Sequence, residues 1–248
     1  MRRYNILVII LLILLVSISC NKTEVKDERN INSQSENKSS YLIKTQNYSI
    51  QDVSINFPQI IGLKDNSKQT QINDLLKNEA LSIVENVYGD PEDVTIKIDY
   101  KVMMQTKNLL SIQYSGFGYS NGASYPTDYL YTINIDLEKV IKLRLSDLVK
   151  VDAGFVRKFR QYKVEKSPEN EIKAVAFKYI IESHTDADLI TSFKRADSSY
   201  LNGGTFSYLT NDSLGISMEV PHVSGDHVEI ELKYQDIKEY LSEEFKLY

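Results

Sequence analysis

The sequence predicts an α+β fold in which antiparallel sheets pack with a few helices. Segments that alternate apolar and polar residues come in runs, and helical patterns interrupt these runs instead of following every strand. One stretch spaces its apolar residues as an amphipathic helix does, and the chain carries no internal repeat of roughly 20 to 50 residues. The 248 residues include a single cysteine, so packing without disulfides must hold the fold.

The first twenty residues have the layout of a lipoprotein signal peptide. Arg2 and Arg3 precede an unbroken apolar run over 6–16, and small residues lead to Cys20. This run is shorter than the roughly 20 apolar residues that cross a bilayer, so it predicts export and cleavage. Cys20 would then carry the acyl chains, palmitate among them, that anchor the mature protein on the outer side of a membrane. An uncleaved signal anchor and a freely secreted form are the alternatives.

Residues 21–40 predict a flexible tether. They consist largely of Asn, Lys, Glu, Ser and Gln, a composition that buries too little apolar surface to order the chain. Beyond the tether we expect two closely associated subdomains, an N-terminal α+β subdomain over 41–124 and a C-terminal one over 125–248.

The N-terminal subdomain begins with a predicted strand and a predicted helix. Alternation with one slip between Tyr48 and Phe57 predicts one strand, or a bulged strand, that ends at Pro58. Apolar residues from Ile72 to Val87 then follow helical spacing, and Gly89 and Pro91 end the helix.

A hairpin and a third strand follow this helix. Segments 94–104 and 110–114 alternate strictly around a polar turn at 106–108, so we expect them to pair. A glycine-rich connection over 116–126 leads to another alternating strand over 129–135.

The C-terminal subdomain predicts two further helices, a short third one and three more strands. Helical patterns cover 152–160 and 168–183, and Ser167 and Pro168 are typical of a helix start. The buried face predicted for the second helix consists of Ile172, Val175, Ala176, Tyr179 and Ile180. The remaining predicted elements are a short helix at 186–196, a break at Gly203 and Gly204, strands at 206–208, 214–220 and 228–234, and a closing helix within 236–245.

The charge balance excludes one class of partner. The chain has 29 basic and 34 acidic residues, and loss of residues 1–20, which contain two Arg and no acid, changes the net charge from −5 to −7. The chain therefore lacks the basic patch that nucleic acid requires. An acidic surface would speed the encounter with a cationic partner.

Residues 118–122 spell Gly-x-Ser-x-Gly, the nucleophile motif of α/β-hydrolases. That motif places its serine on a tight turn from a strand into a helix. Here Pro126 follows closely and alternation resumes at Tyr129, so a glycine-rich turn is the favoured interpretation of Ser120. His184, His222 and His227 would be the available bases.

No motif predicts a metal or a cofactor. His222 and His227 are five residues apart near Pro221 and Gly225, which does not match the helical zinc pair. No phosphate-binding loop or dinucleotide fingerprint occurs. Carboxylates such as Asp186, Asp188, Glu243 and Glu244 show no diagnostic spacing, although the acid pairs of glycosidases are often distant in sequence.

Tyrosines cluster around the glycine-rich connection. Tyr129 and Tyr131 share one strand face and are predicted to lie in the core. Tyr119, Asn121 and Tyr125 lie on the irregular segment, and we predict them as a candidate binding surface, since loops that carry aromatic residues often contact ligands.

The order of several motifs resembles a known family. Residues 111–148 contain Tyr-x-Gly, the turn 120–124, the strand 131–137 and Leu-x-Leu-Ser-Asp-Leu. A later stretch, residues 208–237, is similar to the end of the second domain of the same family. Together they resemble the paired domains of unknown function found outside the cytoplasm in the anti-sigma factor RsiV and the deacetylase PdaC. The resemblance covers about residues 41–241 and implies an α+β fold. Where family members often have Gly-Gly-Ala-His, this chain has Asn121 to Ser124, so no role of that histidine carries over.

The resemblance implies a binding role, because this region of RsiV binds lysozyme. Five residues precede the apolar run, and we expect neither a cytoplasmic sigma-binding segment nor a deacetylase domain. We therefore expect a lipid-anchored, non-catalytic envelope protein that binds a polypeptide or a wall component, for example a lysozyme-type muramidase. The alternative is an envelope hydrolase that cleaves peptidoglycan through carboxylates. Converging carboxylates with shifted pKa values would favour the enzyme, and an exposed aromatic patch would favour binding.

Overall fold

A computed structural model describes residues 40–89, 93–165, 167, 170–198 and 204–245, which belong to one compact unit over 37–248. The predicted signal peptide, Cys20 and the tether up to residue 39 lie outside the described residues, as do Pro91, Pro168 and Gly203. Within the described residues, no helix combines the length and apolar character needed to cross a membrane.

The predicted α+β class is confirmed. A larger mixed sheet contains six strands in chain order, β1 (Leu42–Ile50), β2 (Val53–Ile61), β3 (Val94–Gln105), β4 (Leu109–Ser120), β5 (Thr127–Asp136) and β6 (Ile141–Leu143). A smaller antiparallel sheet contains β7 (Phe206–Leu209), β8 (Ser213–Glu219) and β9 (His227–Lys233). The described helices are α1 (Asn66–Ile83), α2 (Leu145–Leu148), α3 (Ala153–Arg160), α4 (Glu171–Ser183), α5 (Asp186–Arg195) and α6 (Tyr234–Ile237).

The first predicted strand is in fact a hairpin, which corrects the sequence interpretation. β1 and β2 pair along their whole length around a turn at Gln51 and Asp52, and Gln51 has a φ of 50°. The slip in alternation marks this turn, not a bulge. Pro58 lies inside β2, in the part that extends beyond its pairing with β3, where a proline is tolerated.

One strand pair is parallel, although antiparallel sheets were expected. β2 and β3 pair in parallel over Val53–Ile55 and Ile96–Ile98, because α1 carries the chain back across the sheet between them. The predicted β3–β4 hairpin around 106–108 is confirmed.

Helix α1 is fixed to one face of the larger sheet. Asp65 caps it by accepting a hydrogen bond from the Lys68 N–H at 3.0 Å, and its apolar side covers the sheet. The hydroxyls of Tyr114 and Tyr131 donate to helix carbonyl oxygens at 2.9 and 2.7 Å, and their rings stack at 5.1 Å. The prediction that Tyr129 and Tyr131 lie in the core is therefore confirmed. A single π turn at Val84–Tyr88 extends the helix to Gly89.

The predicted glycine-rich loop begins later than expected, because β4 continues to Ser120. Gly116 and Gly118 are strand residues. A Cβ at Gly116 would overlap the Lys97 carbonyl oxygen on β3, and one at Gly118 would overlap the Tyr88 hydroxyl. The chain then turns at 121–126 into antiparallel β5, so Ser120 does not precede the helix that a hydrolase elbow needs.

Helix α4 buries a different face from the one predicted. It begins at Glu171 and buries Ala176, Phe177 and Ile180. Phe177 packs edge-to-face on Phe159 at 5.4 Å and on Tyr162 at 5.5 Å, which turns the rest of the predicted face outward. Ile172 and Val175 are 68% and 61% exposed, and Tyr179 is exposed as well.

Two further helices of the C-terminal half were predicted, and the structure confirms one and corrects the other. The short helix α5 is confirmed, with a capping box formed by Thr185 and Asp188. The closing helix lies earlier than predicted, at Tyr234–Ile237, and turns and a bridge from Leu241 to Val149 follow it.

Two apolar cores lie on either side of a polar layer. One core lies between α1 and the larger sheet, and the other lies between the smaller sheet and helices α3, α4 and α5. Between the sheets is a group that we call the polar seam, formed by Ser111, Thr132, Asn134, Asp197 and Ser207. The predicted boundary at residue 124 falls in the turn between β4 and β5, and the division into subdomains stays a prediction.

Candidate functional site

The three predicted surface residues have different surroundings. The Tyr119 hydroxyl donates to the Ala123 carbonyl oxygen at 2.9 Å. The Asn121 side-chain amide donates to the Asp93 carboxylate at 3.1 Å, and its backbone N–H donates to the Asp93 carbonyl oxygen at 2.9 Å. Tyr119 and Asn121 therefore fasten the end of the hairpin. Tyr125 is 53% exposed and is the residue of the three that can contact a ligand most readily.

Tyr125 is held by residues that the sequence interpretation did not connect with it. Its ring stacks on the imidazole of His222, with centroids 4.0 Å apart and planes 8° apart. His222 Nδ1 lies 3.0 Å from both oxygens of Asp226, and Asp226 accepts a hydrogen bond from the Asp128 N–H at 2.8 Å. These contacts attach the β4–β5 turn to the β8–β9 connection. The Tyr125–His222 and Asp128–Asp226 contacts each join residues about a hundred positions apart, a distance at which spacing in the sequence gives no signal.

An exposed apolar surface surrounds this attachment. Val223 is 92% exposed in the single 3-10 turn His222–Ser224, and α4 packs against that turn. Ile172, Val175 and Tyr179 lie along the outer side of α4 at spacings of three and four residues. We call Tyr125, Ile172, Val175, Tyr179 and Val223 the apolar face. Single exposed apolar residues are normal, whereas several on elements that pack together are typical of interaction surfaces, so we take the apolar face as the candidate site.

A shallow pocket and a rim of charges border the apolar face. The pocket has a volume of about 360 Å³, and Tyr179, His184 and Pro221 contribute to its walls. The outward charges of α4 include Lys178 and Glu182, which lie 3.7 Å apart. An aromatic and aliphatic centre with a polar rim is the usual anatomy of a protein interface.

The carboxyl groups with raised pKa values have structural surroundings. Burial raises the pKa of Glu79. The Lys142 ammonium, which donates to Glu79 at 2.7 Å, opposes this rise. Burial raises the pKa of Asp197 to about 6, although the Ser207 N–H and hydroxyl and the Leu145 N–H donate to it. Glu79 contacts the larger sheet and Asp197 lies in the polar seam, and neither lines the pockets of about 360, 410 and 510 Å³ on the surface.

A second carboxylate pair lies on β9. The Tyr208 hydroxyl is 3.3 Å from Glu229 Oε2 and 3.1 Å from Glu231 Oε1, and Gln113 Nε2 donates to Glu229 Oε2 at 2.9 Å. Among the residues that the structure describes, no group of three or more His, Cys, Asp or Glu side chains is arranged to hold a metal ion.

Comparison with known proteins gives neighbours in fold alone. No protein-family model matches the chain, and no curated protein matches its sequence. A crystal structure of a DUF3298 family member from Bacteroides fragilis NCTC 9343 is 14% identical, with a TM-score of 0.48 over 83% of this chain and 95% of that one. A DUF3298 family protein from Pseudomonas aeruginosa PAO1 is 15% identical, with a TM-score of 0.45 over 83% and 94%. These structural neighbours belong to a domain family of unknown function, and the RsiV- and PdaC-like interpretation stays a prediction.

Proposed function

We propose that this chain is a lipid-anchored envelope protein whose α+β domain is a non-catalytic binding module for a polypeptide, with a cationic, lysozyme-type muramidase as its partner. The observation that carries the proposal is the apolar face, of which Val175 and Val223 are 61% and 92% exposed. A partner that covers such side chains removes apolar area from water, which favours binding by about 25 cal/mol for each Å² buried.

The construction of the apolar face supports recognition. Tyr125 is fixed by its stacking on His222, so little side-chain freedom would be lost when a partner binds. Tyrosine is also among the residues that contribute most to binding energy at interfaces. α4 is a helix of 13 residues, which gives its apolar side chains a rigid base.

The choice of partner rests on charge and on the sequence resemblance. Without residues 1–20 the net charge is −7, which favours encounter with a cationic protein. The predicted lipid on Cys20 would hold the module outside the cytoplasm, where an attacking muramidase arrives. The resemblance to the lysozyme-binding region of RsiV points to the same partner.

The hydrolase alternative receives less support. A catalytic acid of a glycosidase needs a raised pKa in a cleft that admits the sugar. The carboxyls of raised pKa, Glu79 and Asp197, are enclosed by the fold and bonded to other parts of it.

A titration tests the proposal. The full chain in a neutral detergent is titrated with a purified cationic lysozyme by isothermal calorimetry. We expect saturable binding, and we expect Val175→Glu or Val223→Glu to weaken it at least tenfold, because a carboxylate would be buried against the partner. Leu42→Glu is the matched control, since Leu42 is an exposed apolar residue on β1, outside the apolar face.

The same preparations are incubated with purified peptidoglycan, and the release of soluble sugar is measured. Degradation of the wall without any binding of lysozyme would refute the proposal and favour the hydrolase. Equal weakening by Leu42→Glu would show that the apolar face is not the contact surface.

A further inference from the structure

Strand β9 has a free edge. It pairs with β8 on one side, and no other strand of the described chain pairs with its second side. The opposite edge of the same sheet, on β7, is closed by side chains: Ser207 and Leu209 bond there to Ser111, Thr132, Asn134 and Asp197. The fold thus satisfies one edge, whereas on the other the outward backbone groups of alternate residues of β9 pair with no strand of the described chain.

Open space lies beside this free edge. A pocket of about 510 Å³ is lined by Glu231, Leu232 and Lys233 of β9 and by Gln161 and Tyr162 from the segment after α3. An added strand needs room for its backbone in the plane of the sheet, and this pocket provides it at the end of β9 nearest α6.

The carboxylates of Glu229 and Glu231 project from one face of β9. They are two residues apart on the strand, and both lie within hydrogen-bond distance of the Tyr208 hydroxyl. Tyr208 and Gln113, which also bonds to Glu229, are buried. Buried donors therefore hold the two carboxylates in fixed positions, and Glu231 lines the pocket.

These two carboxylates have no Lys or Arg partner among the described residues. Within the described residues, no Lys or Arg nitrogen lies within 4.0 Å of either one, and His227 Nε2 is 3.8 Å from Glu229. Lys233, the nearest lysine along the strand, is bound to Asp212 at 2.7 Å. Lys158 and Lys163 also line the pocket, where Glu165 and Asp236 balance them.

A buried hydroxyl next to the pair also lacks a partner. Ser217 lies directly opposite Glu229 in the β8–β9 register, so both side chains are on the same face. Its Oγ atom is fully buried and makes no hydrogen bond, and the buried Nδ1 atom of His227, near the start of the same strand, makes none either. Buried polar atoms are almost always bonded, so these two mark polar groups beside the pair that the described residues leave unsatisfied.

We propose that β9 binds an extended polypeptide as a further strand of the smaller sheet, with a Lys or Arg side chain between Glu229 and Glu231. Backbone hydrogen bonds to the free edge supply affinity, and the two carboxylates supply the preference for a cation. The inference rests on the proposed function in that the ligand is a polypeptide, but it concerns a second surface, separate from the apolar face.

Fluorescence anisotropy with three labelled peptides tests this site on the full chain in a neutral detergent. The probes are acetyl-Val-Thr-Lys-Thr-Val-amide, the same peptide with Glu in place of Lys, and the Lys peptide with alternate backbone nitrogens methylated. We expect the Lys peptide to bind at least tenfold more tightly than each of the others, because the second loses the charge contact and the third loses the strand pairing. Amide hydrogen exchange over Val228–Lys233 should slow when the Lys peptide binds.

Two double variants provide the control. Glu229→Gln with Glu231→Gln should abolish the preference for Lys over Glu, whereas Glu85→Gln with Glu138→Gln, which removes the same charge from exposed positions elsewhere, should leave it intact. Equal affinity for the three peptides, or equal effects of the two double variants, would overturn the proposal. If the peptides fail but binding of lysozyme remains sensitive to Val175→Glu, the β9 site is wrong and the proposed function stands.

Discussion

Asp197 is the side chain on which the polar seam depends most. It has a left-handed backbone, with a φ of 62°, and it is buried. Its two oxygens accept from the Ser207 N–H at 2.7 Å, the Ser207 hydroxyl at 2.7 Å and the Leu145 N–H at 2.8 Å. One carboxylate thus joins the edge of β7, the start of α2 and the segment after α5.

Replacing Asp197 with Asn should destabilise the fold by about 2 to 4 kcal/mol. Both carboxylate oxygens face backbone N–H donors that cannot rotate away, so the new amide NH₂ must oppose one of them. A protonated carboxyl avoids this conflict, because its proton can point to the Ser207 hydroxyl. Urea unfolding at pH 7 measures the loss, and Asp74→Asn, at an exposed position of α1, is the control. A loss no larger than that of the control would contradict this role.

The pKa of Asp197 also predicts a dependence of stability on pH. Burial raises this pKa from 3.8 to about 6, so between these values the folded state binds more protons than the unfolded state. Preferential protonation of Asp197 in the folded state stabilises the fold. This stabilisation is fully present below pH 3.8 and is lost as the pH rises through 6, and the total loss is about 3 kcal/mol. The difference in unfolding free energy between the native protein and Asp197→Asn, measured from pH 3.5 to pH 7, should fall over this range. A difference that stays constant or rises would disprove the assignment.

At the scale of elements, strict alternation and strong helical spacing predicted well. The β3–β4 hairpin, β5, α1 and α5 lie close to where the residue pattern placed them, because in each the predicted apolar face packs into a core. Predictions failed where the tertiary contact decides the outcome. On α4, the pattern placed Ile172 on the buried face and omitted Phe177, whereas the packing of Phe177 on Phe159 selects the face that is buried.

Two glycines in and after β4 should respond differently to substitution. Gly116→Ala should cost about 2 to 4 kcal/mol, since its Cβ would overlap the backbone of β3. Gly122→Ala should cost about 1 to 2 kcal/mol, since its surroundings are open and only its φ of 87° is unfavourable. Urea unfolding of both variants measures the order, and a greater loss at Gly122 would contradict the close approach at Gly116.

The hydroxyl of Tyr131 tests how α1 is attached. Tyr131→Phe should cost about 1 kcal/mol, because it removes a hydrogen bond of 2.7 Å to the Ala80 carbonyl oxygen while the ring stays packed. Thermal unfolding followed by circular dichroism should show a lower midpoint and an unchanged spectrum. An unchanged midpoint would show that this bond adds nothing to the attachment.

At the scale of the whole molecule, the two sheets meet through polar groups and leave the apolar face on the outside. The sequence predicted Tyr125 as a candidate contact residue because it lies on an irregular segment near glycines. It could not identify Val223, Ile172 and Val175, since their exposure follows from how α4 and the turn at His222–Ser224 pack together. His222 and Asp226 were equally hidden, because their partners Tyr125 and Asp128 belong to a distant part of the chain.

Amide hydrogen exchange of the full chain, with and without saturating cationic lysozyme, tests the central claim most directly. We expect slower exchange in α4, in the turn at 121–126 and in residues 222–226, with no change along β1. Slower exchange confined to other surfaces, or no change anywhere in the chain, would contradict the claim that the apolar face is the binding surface of this protein.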